Sequence, residues 1–480
     1  MSVEQTEFEA VIGLEVHAEL KTASKIFCAC STAFGAAPNT QICPVCMGLP
    51  GALPTLNRRA VELAVTAGLA LNCRIAPLSR TDRKQYFYPD LPKGYQISQA
   101  ESPLCEDGYL CIEGEGGTPL RVGIARIHIE EDAGKLTHAE GRTLVDCNRC
   151  GVPLIEIVSR PDMHSSQEAG AYLRELRAVL LTCGVSDCRM QEGSLRCDVN
   201  VSVRRRGERT LGVRSEIKNV NSFAFAEKAI DFEIERQKDA ILRGETLVSE
   251  TRRFDETSGK TVRMRQKETA DDYRYLREAN LLPLVVSCEF VTRLQKTLPE
   301  LPAARRARLC EQYGLSRADA AILVSDRGLA DYFEASAART GYSKILANLL
   351  LSDLLRACES DPFRSPVSAE HFAELATLLG NRTVNSATAK KLLQRLCTSP
   401  FSPTEAVQRE GLAQVTDRAL LLGWIDEAMR ECPRAVEDYR AGKKAALRAL
   451  QGRVMAKSGG RAEPQLSEAL LCECLEKTEV

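Results

Sequence analysis

Between Val11 and Leu20 apolar and polar residues alternate. Ile12, Leu14, Val16, Ala18 and Leu20 take the even positions, and Glu15, His17 and Glu19 fall on odd ones. A period of two is the strand period, so the three polar side chains share one face and the apolar set lines the other. Similar runs occur at Val122–Glu131, Pro153–Val158 and Asp198–Val203, and helical stretches are predicted between them over Arg58–Leu71, Ser166–Leu181 and Ala224–Arg243. From about Phe290 onward the pattern changes to amphipathic helical runs at Ala318–Ala335, Ala369–Leu379 and Ala387–Leu396. These patterns predict an α+β chain, with sheets and helices first and all-helical middle and tail domains after. The Pro-punctuated segment Thr297–Pro302 reads as a linker, and a second break falls at Ser399–Pro403. The expected domains are 1–292, 293–403 and 404–480.

The acids come in three groups. Glu15 and His17 lie on one strand face, and Glu130, Glu131 and Asp132 end a second alternating run. Three successive acids repel one another unless they are solvated or hold a cation. Glu156 stands alone among apolar residues in Leu154–Val158. A buried carboxylate of that kind needs a partner or a metal. Several carboxylates with an imidazole suit Mg²⁺ or Mn²⁺ better than Zn²⁺. For the first strand taken alone, a solvated polar edge is the competing reading.

The 480 residues exceed a single core, and 44% hydrophobic with 27% charged residues is ordinary for a globular protein. There is no uninterrupted apolar stretch of membrane-spanning length, and Met1–Glu9 is acidic, without a signal pattern. The expectation is a cytoplasmic protein with no membrane partner. A net charge of -1 excludes nucleic-acid binding through global charge, so any RNA contact is local or shared with a partner. Among 19 cysteines, Cys28 and Cys30 are followed after twelve residues by Cys43 and Cys46. Two close pairs across a loop have the spacing of a tetrahedral Zn²⁺ site, structural because four thiolates leave no open position; free thiols are the alternative. Cys147 and Cys150 form a lone pair and are expected to be unliganded.

Asp82–Gln99 concentrates basic, aromatic and amide groups, including Arg83, Lys84 and Tyr86. Arg and Lys suit phosphates and aromatics suit bases, although a surface loop fits equally well. No Walker-type loop or dinucleotide fingerprint is present, so a nucleotide site here is of another kind. Ser249–Glu278 is dense in both charge signs, with Arg252, Arg253, Lys260, Arg263, Arg265 and Lys267 beside Asp271 and Asp272. A solvated face is the competing reading there. Arg440–Arg461 carries Arg440, Lys443, Lys444, Arg448, Arg453, Lys457 and Arg461 without an acid. A basic helix running into Gly459-Gly460 suits an RNA backbone; a solubilising face is the rival.

These blocks together resemble one family, the B subunit of the bacterial and organellar tRNA-dependent amidotransferase. The resemblance rests on Val11–His17, Arg83–Asp90, Glu130–Lys135, Pro153–Val158, Glu192–Asn200, Glu216–Phe223, Thr251–Asp255, Asp271–Tyr275 and Val436–Lys443, in order across nearly the whole chain. It implies a cradle-shaped catalytic domain, a helical domain and a small helical tail. It implies that ATP phosphorylates the side-chain carboxylate of Glu-tRNA(Gln) or Asp-tRNA(Asn), and that ammonia from a partner glutaminase then displaces the phosphate. The partners so implied are an amidase A subunit, a small C subunit and the tRNA. Carried over residue by residue, the Mg²⁺ (or Mn²⁺) cluster is Glu15, His17, Glu130, Glu131 and Glu156. Lys84, Asp198 and Glu131 are catalytic, and Arg83 with Lys84 contacts the nucleotide. Cys28, Cys30, Cys43 and Cys46 match the zinc-bearing members. Arg440, Lys443, Lys444, Arg448, Lys457 and Arg461 would touch the tRNA. The chain departs from the family pattern at Leu276–Ala279, at Arg160 and at Asn348-Leu349, and only the first bears on a substrate pocket. No glutaminase serine motif is found, so the ammonia donor lies elsewhere. The alternatives are a non-catalytic, zinc-stapled tRNA-binding scaffold and a free-standing ligase acting on a small acid.

Overall fold

The computed structural model describes residues 8–139, 141–266, 273–358 and 366–476. Lys267, Asp271 and Asp272 of the charged segment lie outside them. The fold is α+β, and the chain divides into two compact units, 1–302 and 303–480.

The first unit is built on a nine-stranded sheet. In spatial order its strands are Lys260–Gln266, Glu250–Asp255, Ser215–Val220, Leu195–Arg205, Phe8–Glu19, Pro153–Ser159, Pro119–Glu131, Cys105–Glu113 and Arg74–Ile75. All neighbours are antiparallel except Ser215–Val220 with Glu250–Asp255, which the long helix Phe223–Leu242 joins as a parallel pair. The alternation in the first strand is realised. Ile12, Leu14, Val16 and Ala18 are buried in the main core, and Glu15, His17 and Glu19 are half-buried on the other face.

Helices Arg58–Ala70, Ser166–Thr182 and Phe223–Leu242 contribute Leu63, Tyr172, Leu173 and Ile230 to the core that the apolar strand faces enter. Each begins at a residue whose side chain accepts a backbone N–H: Asn57 from Arg59, Ser165 from Glu168 and Ser222 from Phe225. Glu168 completes a capping arrangement by accepting from the His164 N–H at 2.8 Å. With the helices on one face, the polar face of the central strands is left to line a cleft. A three-stranded sheet, Leu276–Arg277, Asp82–Gln85 and Tyr95–Ser98, stands beside it and carries Lys84.

The second unit is helical. Leu309–Val407 form one apolar cluster, which includes Ala406 and Val407 of helix Pro403–Glu410. Leu421–Leu475 form another. The expected helix Ala318–Ala335 is two helices, Arg317–Val324 and Arg327–Ala337. Asp326 breaks the run by adopting an extended backbone and capping the second helix through the Leu329 N–H. No described helix is long and apolar enough to cross a membrane.

Candidate functional site

The strand registers decide which polar groups meet. His17 lies opposite Glu156 on one side and opposite Arg196 on the other. Glu156 in turn lies opposite His128, and Leu154 opposite Glu130. Side chains at alternate positions share a face, so His17, Glu156, His128, Glu130, Arg196 and Asp198 come to one surface. His17 Nε2 is 3.4 Å from Glu130 and 3.5 Å from Glu156. His128 Nε2 is 3.2 Å from Glu156 and 3.8 Å from Glu130.

Burial alone would suppress charge on every member of this group. Hydrogen bonds and charges within it outweigh burial. His17 is held above the usual imidazole range and His128 is raised to about 9. Glu130 and Glu156 are held below the usual carboxylate range, chiefly by His128 once burial is overcome. Each shift favours the charged form of its own group, and a cation taking His17 as a ligand would displace the imidazole proton. One ligand atom from each of His17, Glu130 and Glu156 falls within 4.8 Å of the others, a spacing that fits a hard divalent cation.

The five residues grouped from sequence do not all meet. Glu15 belongs to a neighbouring cluster with Asp198 and Glu216, where Asn200 Nδ2 donates to it at 3.0 Å. Lys218 Nζ compensates that cluster, 2.7 Å from Asp198 and 3.5 Å from Glu216. Glu131, one residue on from Glu130, points to the opposite face of the sheet. There it pairs with Lys93 and accepts the Ile97 N–H at 2.8 Å. Gly48, at φ +66°, makes room for this lysine, because a Cβ there would come within 2.3 Å of Lys93 Cγ.

A cleft of about 370 Å³ runs along the acid-bearing face. Its walls include His17, Glu130, Lys84, Arg196, Asp198 and Lys218. Lys84 reaches it between aromatic rings, with Nζ 4.8 Å from the Tyr273 centroid and 5.8 Å from that of Tyr86. Burial would lower its basicity, but Glu130 and neighbouring groups raise it above the usual lysine range, so it is a cation. Arg83 is placed differently. Its Nε and Nη2 meet the buried Glu278 carboxylate at 2.6 and 3.0 Å, and its guanidinium lies 4.3 Å from the Tyr95 ring centre. One edge of its fork is thus committed to Glu278 and one face of its plane to Tyr95.

On the far side of the sheet, the sulfurs of Cys28, Cys30, Cys43 and Cys46 lie within 4.8 Å of one another. Cys43 and Cys46 are 3.9 Å apart, close to the roughly 3.8 Å edge of a tetrahedron with 2.3 Å zinc–sulfur bonds. The donor set and spacing fit zinc. The Cys46 thiol is lowered to about 4 by its hydrogen bond with Cys28, with further help from the Cys43 N–H and Lys25. Lys25, fully buried, has Nζ 3.6 Å from Cys46 Sγ and 3.3 Å from the Cys147 carbonyl. Cys147 and Cys150 are buried and free of any disulfide.

In the tail, Arg440, Lys444 and Arg448 are exposed and have no ion-pair partner among the described residues. Lys443 pairs with Asp438 at 2.8 Å. Lys457 is held by Glu427 at 2.8 Å and Glu431 at 2.6 Å, and Arg461 donates to the Ser458 carbonyl at 3.0 Å. Acids from the preceding helices thus engage part of a stretch that has none of its own.

Sequence patterns do not single out His128, Glu216 or Lys218 as site residues. His128 carries a usable signal, since it stands two residues before Glu130 in an alternating strand.

Residues 10–292 match the family described as the GatB/GatE catalytic domain, and residues 331–475 match the GatB domain. A curated relative from Clostridium botulinum (strain Eklund 17B / Type B), the B subunit of an aspartyl/glutamyl-tRNA(Asn/Gln) amidotransferase, is 48% identical over 98% of this chain and all of its own. Proteins of the same name from Moorella thermoacetica and Caldanaerobacter subterraneus are 49% and 50% identical over the same shares. With two family matches covering most of the chain and relatives at this identity over their whole length, the chain belongs to the GatB family.

Proposed function

We propose that the chain is the B subunit of an aminoacyl-tRNA amidotransferase and that the cleft activates the side-chain carboxylate of Glu-tRNA(Gln), Asp-tRNA(Asn) or both. In this reading a carboxylate oxygen of the misacylated residue attacks the γ-phosphorus of ATP, and ADP leaves. Ammonia from a partner glutaminase A subunit then attacks the acyl carbon of the acyl phosphate, inorganic phosphate departs, and the amide forms. The overall reaction is a carbon–nitrogen ligation coupled to ATP hydrolysis.

The observation that carries this reading is the convergence of His17, Glu130 and Glu156 at one end of a cleft that Lys84 also lines. His17, Glu130 and Glu156 would hold Mg²⁺ or Mn²⁺, with His128 fixing the two carboxylates from behind. Bound there, such a cation would neutralise phosphate charge. Lys84 supplies a fixed positive charge toward the transferring phosphoryl group. Asp198, held by Lys218, sits on the same wall and would orient the incoming ammonia by accepting one of its N–H groups. The four cysteines would hold a structural zinc. Arg440, Lys444 and Arg448 would meet the tRNA backbone, and a small C subunit would complete a cytoplasmic heterotrimer.

The test is amidation by the chain assembled with its A and C partners. ATP-dependent conversion of Glu-tRNA(Gln) or Asp-tRNA(Asn) to its amide supports the reading, and binding of tRNA without ATP consumption refutes it in favour of a scaffold.

A further inference from the structure

With Arg83 committed to Glu278 and Tyr95, the basic group that the cleft offers a terminal phosphate has to be another one. Lys84 is a point charge. Lys218 is committed to Asp198 and Glu216. One guanidinium remains on the wall.

Arg196 lies opposite His17 across the pairing of Phe8–Glu19 with Leu195–Arg205, one strand from the His17, Glu130 and Glu156 group. It lines the cleft together with Lys84 and Lys218. Its side chain is 37% exposed, in contrast to its partner Asp132 at 3%. Nη2 meets Asp132 Oδ2 at 2.7 Å, which anchors one corner of the fork. Nε is buried and has no hydrogen-bond partner among the described residues. Because Nε is shielded, a ligand oxygen meets the guanidinium at its exposed terminal nitrogens, of which Nη2 carries the bond to Asp132. Asp132 is itself fixed, by Arg149 Nε at 3.4 Å and by the Ala133 N–H at 2.8 Å, so the anchored corner is rigid. A planar guanidinium held at one corner, with another donor spare, matches two oxygens of one phosphoryl group.

We propose that Arg196 binds the terminal phosphate of the nucleoside triphosphate in this cleft, with Asp132 as its positioning residue. The inference rests on the function proposed above and adds the residue that recognises the phosphate.

The experiment measures binding of a non-hydrolysable ATP analogue, and separately of ADP, to the full chain in its assembled complex with Mg²⁺ present. The variants are Arg196→Lys, Arg196→Gln and Asp132→Asn. A charge-assisted hydrogen bond to phosphate predicts a roughly 10- to 100-fold loss of analogue affinity in Arg196→Gln. A smaller loss is expected in Arg196→Lys, which keeps the charge opposite Asp132 but not the fork, and in Asp132→Asn. ADP affinity stays within about threefold in all of them. Unchanged analogue binding in both Arg196 variants overturns the proposal while leaving the functional reading in place. Equal loss of ADP and analogue also overturns it, because that marks general damage to the cleft. Absence of analogue binding in the wild type removes the functional reading and the proposal together.

Discussion

His128 lies directly opposite Glu156 in the pairing of Pro119–Glu131 with Pro153–Ser159, with its Nε2 3.2 Å from the glutamate carboxylate. The histidine is nearly inaccessible, and its Nδ1 has no partner among the described residues. Its work is thus confined to the side that faces Glu156 and Glu130. Removing a group that orients ligands from behind typically lowers metal affinity roughly 10- to 100-fold. His128→Ala is expected to weaken Mn²⁺ binding by that factor, read from free Mn²⁺ by electron paramagnetic resonance. Affinity equal to wild type would show that the carboxylates are ordered without it.

The cysteine site predicts a separate metal dependence. Elemental analysis is expected to find zinc in the purified wild type, and Cys46→Ser is expected to lose it and melt at lower temperature. Zinc binding supplies folding free energy to the loop between Phe27 and Leu56. Reduced cysteines without zinc in the wild type would mean that the four thiols merely pack together.

Glu19 gives a pH dependence with a definite sign. Burial, then the charge of Asp132, raises its carboxyl from the usual 4.5 to about 8, against the opposing pull of Arg196. The folded state therefore binds more protons than the unfolded state between those values. The associated stability is complete below about pH 4.5 and is lost as pH rises through about 8. Glu19→Gln keeps the shape and removes the titration. Relative to wild type, its melting temperature should climb as pH is raised from 5 to 9, by about 2 °C for each kcal/mol recovered. A pH-independent difference between the two proteins would contradict the Glu19–Asp132 coupling.

How far the site is legible in the sequence follows from what a strand does to its neighbours. Alternation in Val11–Leu20 is enough to put Glu15 and His17 on one face, and helices such as Ser166–Thr182 stand within a residue or so of where their periodicity places them. Alternation also separates Glu130 from Glu131, but reading Glu130-Glu131-Asp132 as one acidic block hides it. The strand order is not legible. Glu130 and Glu156 join His17 because three strands far apart in sequence are neighbours in the sheet. The Arg83–Glu278 pair, 195 residues apart, has no local signature at all, and so Arg83 looks available to a phosphate. The pairing of Lys457 with Glu427 and Glu431 is hidden for the same reason.

Those tail pairs divide the basic residues into two classes. Arg440, Lys444 and Arg448 face solvent, whereas Lys457 is tied to two glutamates. Reversing Arg440, Lys444 and Arg448 to Glu is expected to weaken tRNA binding and to reduce the slope of log affinity against log salt by about one for each phosphate that is no longer neutralised. Lys457→Gln should change that slope less. Equal effects per unit of charge removed would mean that the tail acts through overall charge.

In the proposed mechanism the His17, Glu130 and Glu156 group holds the cation used in carboxylate activation. Its most direct test is the rate of ADP formation by the assembled enzyme with Mg²⁺ and Glu-tRNA(Gln), comparing wild type with Glu156→Gln under tRNA saturation. A fall on the order of 10²- to 10³-fold is expected, with tRNA binding retained. ADP formation at the wild-type rate in Glu156→Gln would contradict it.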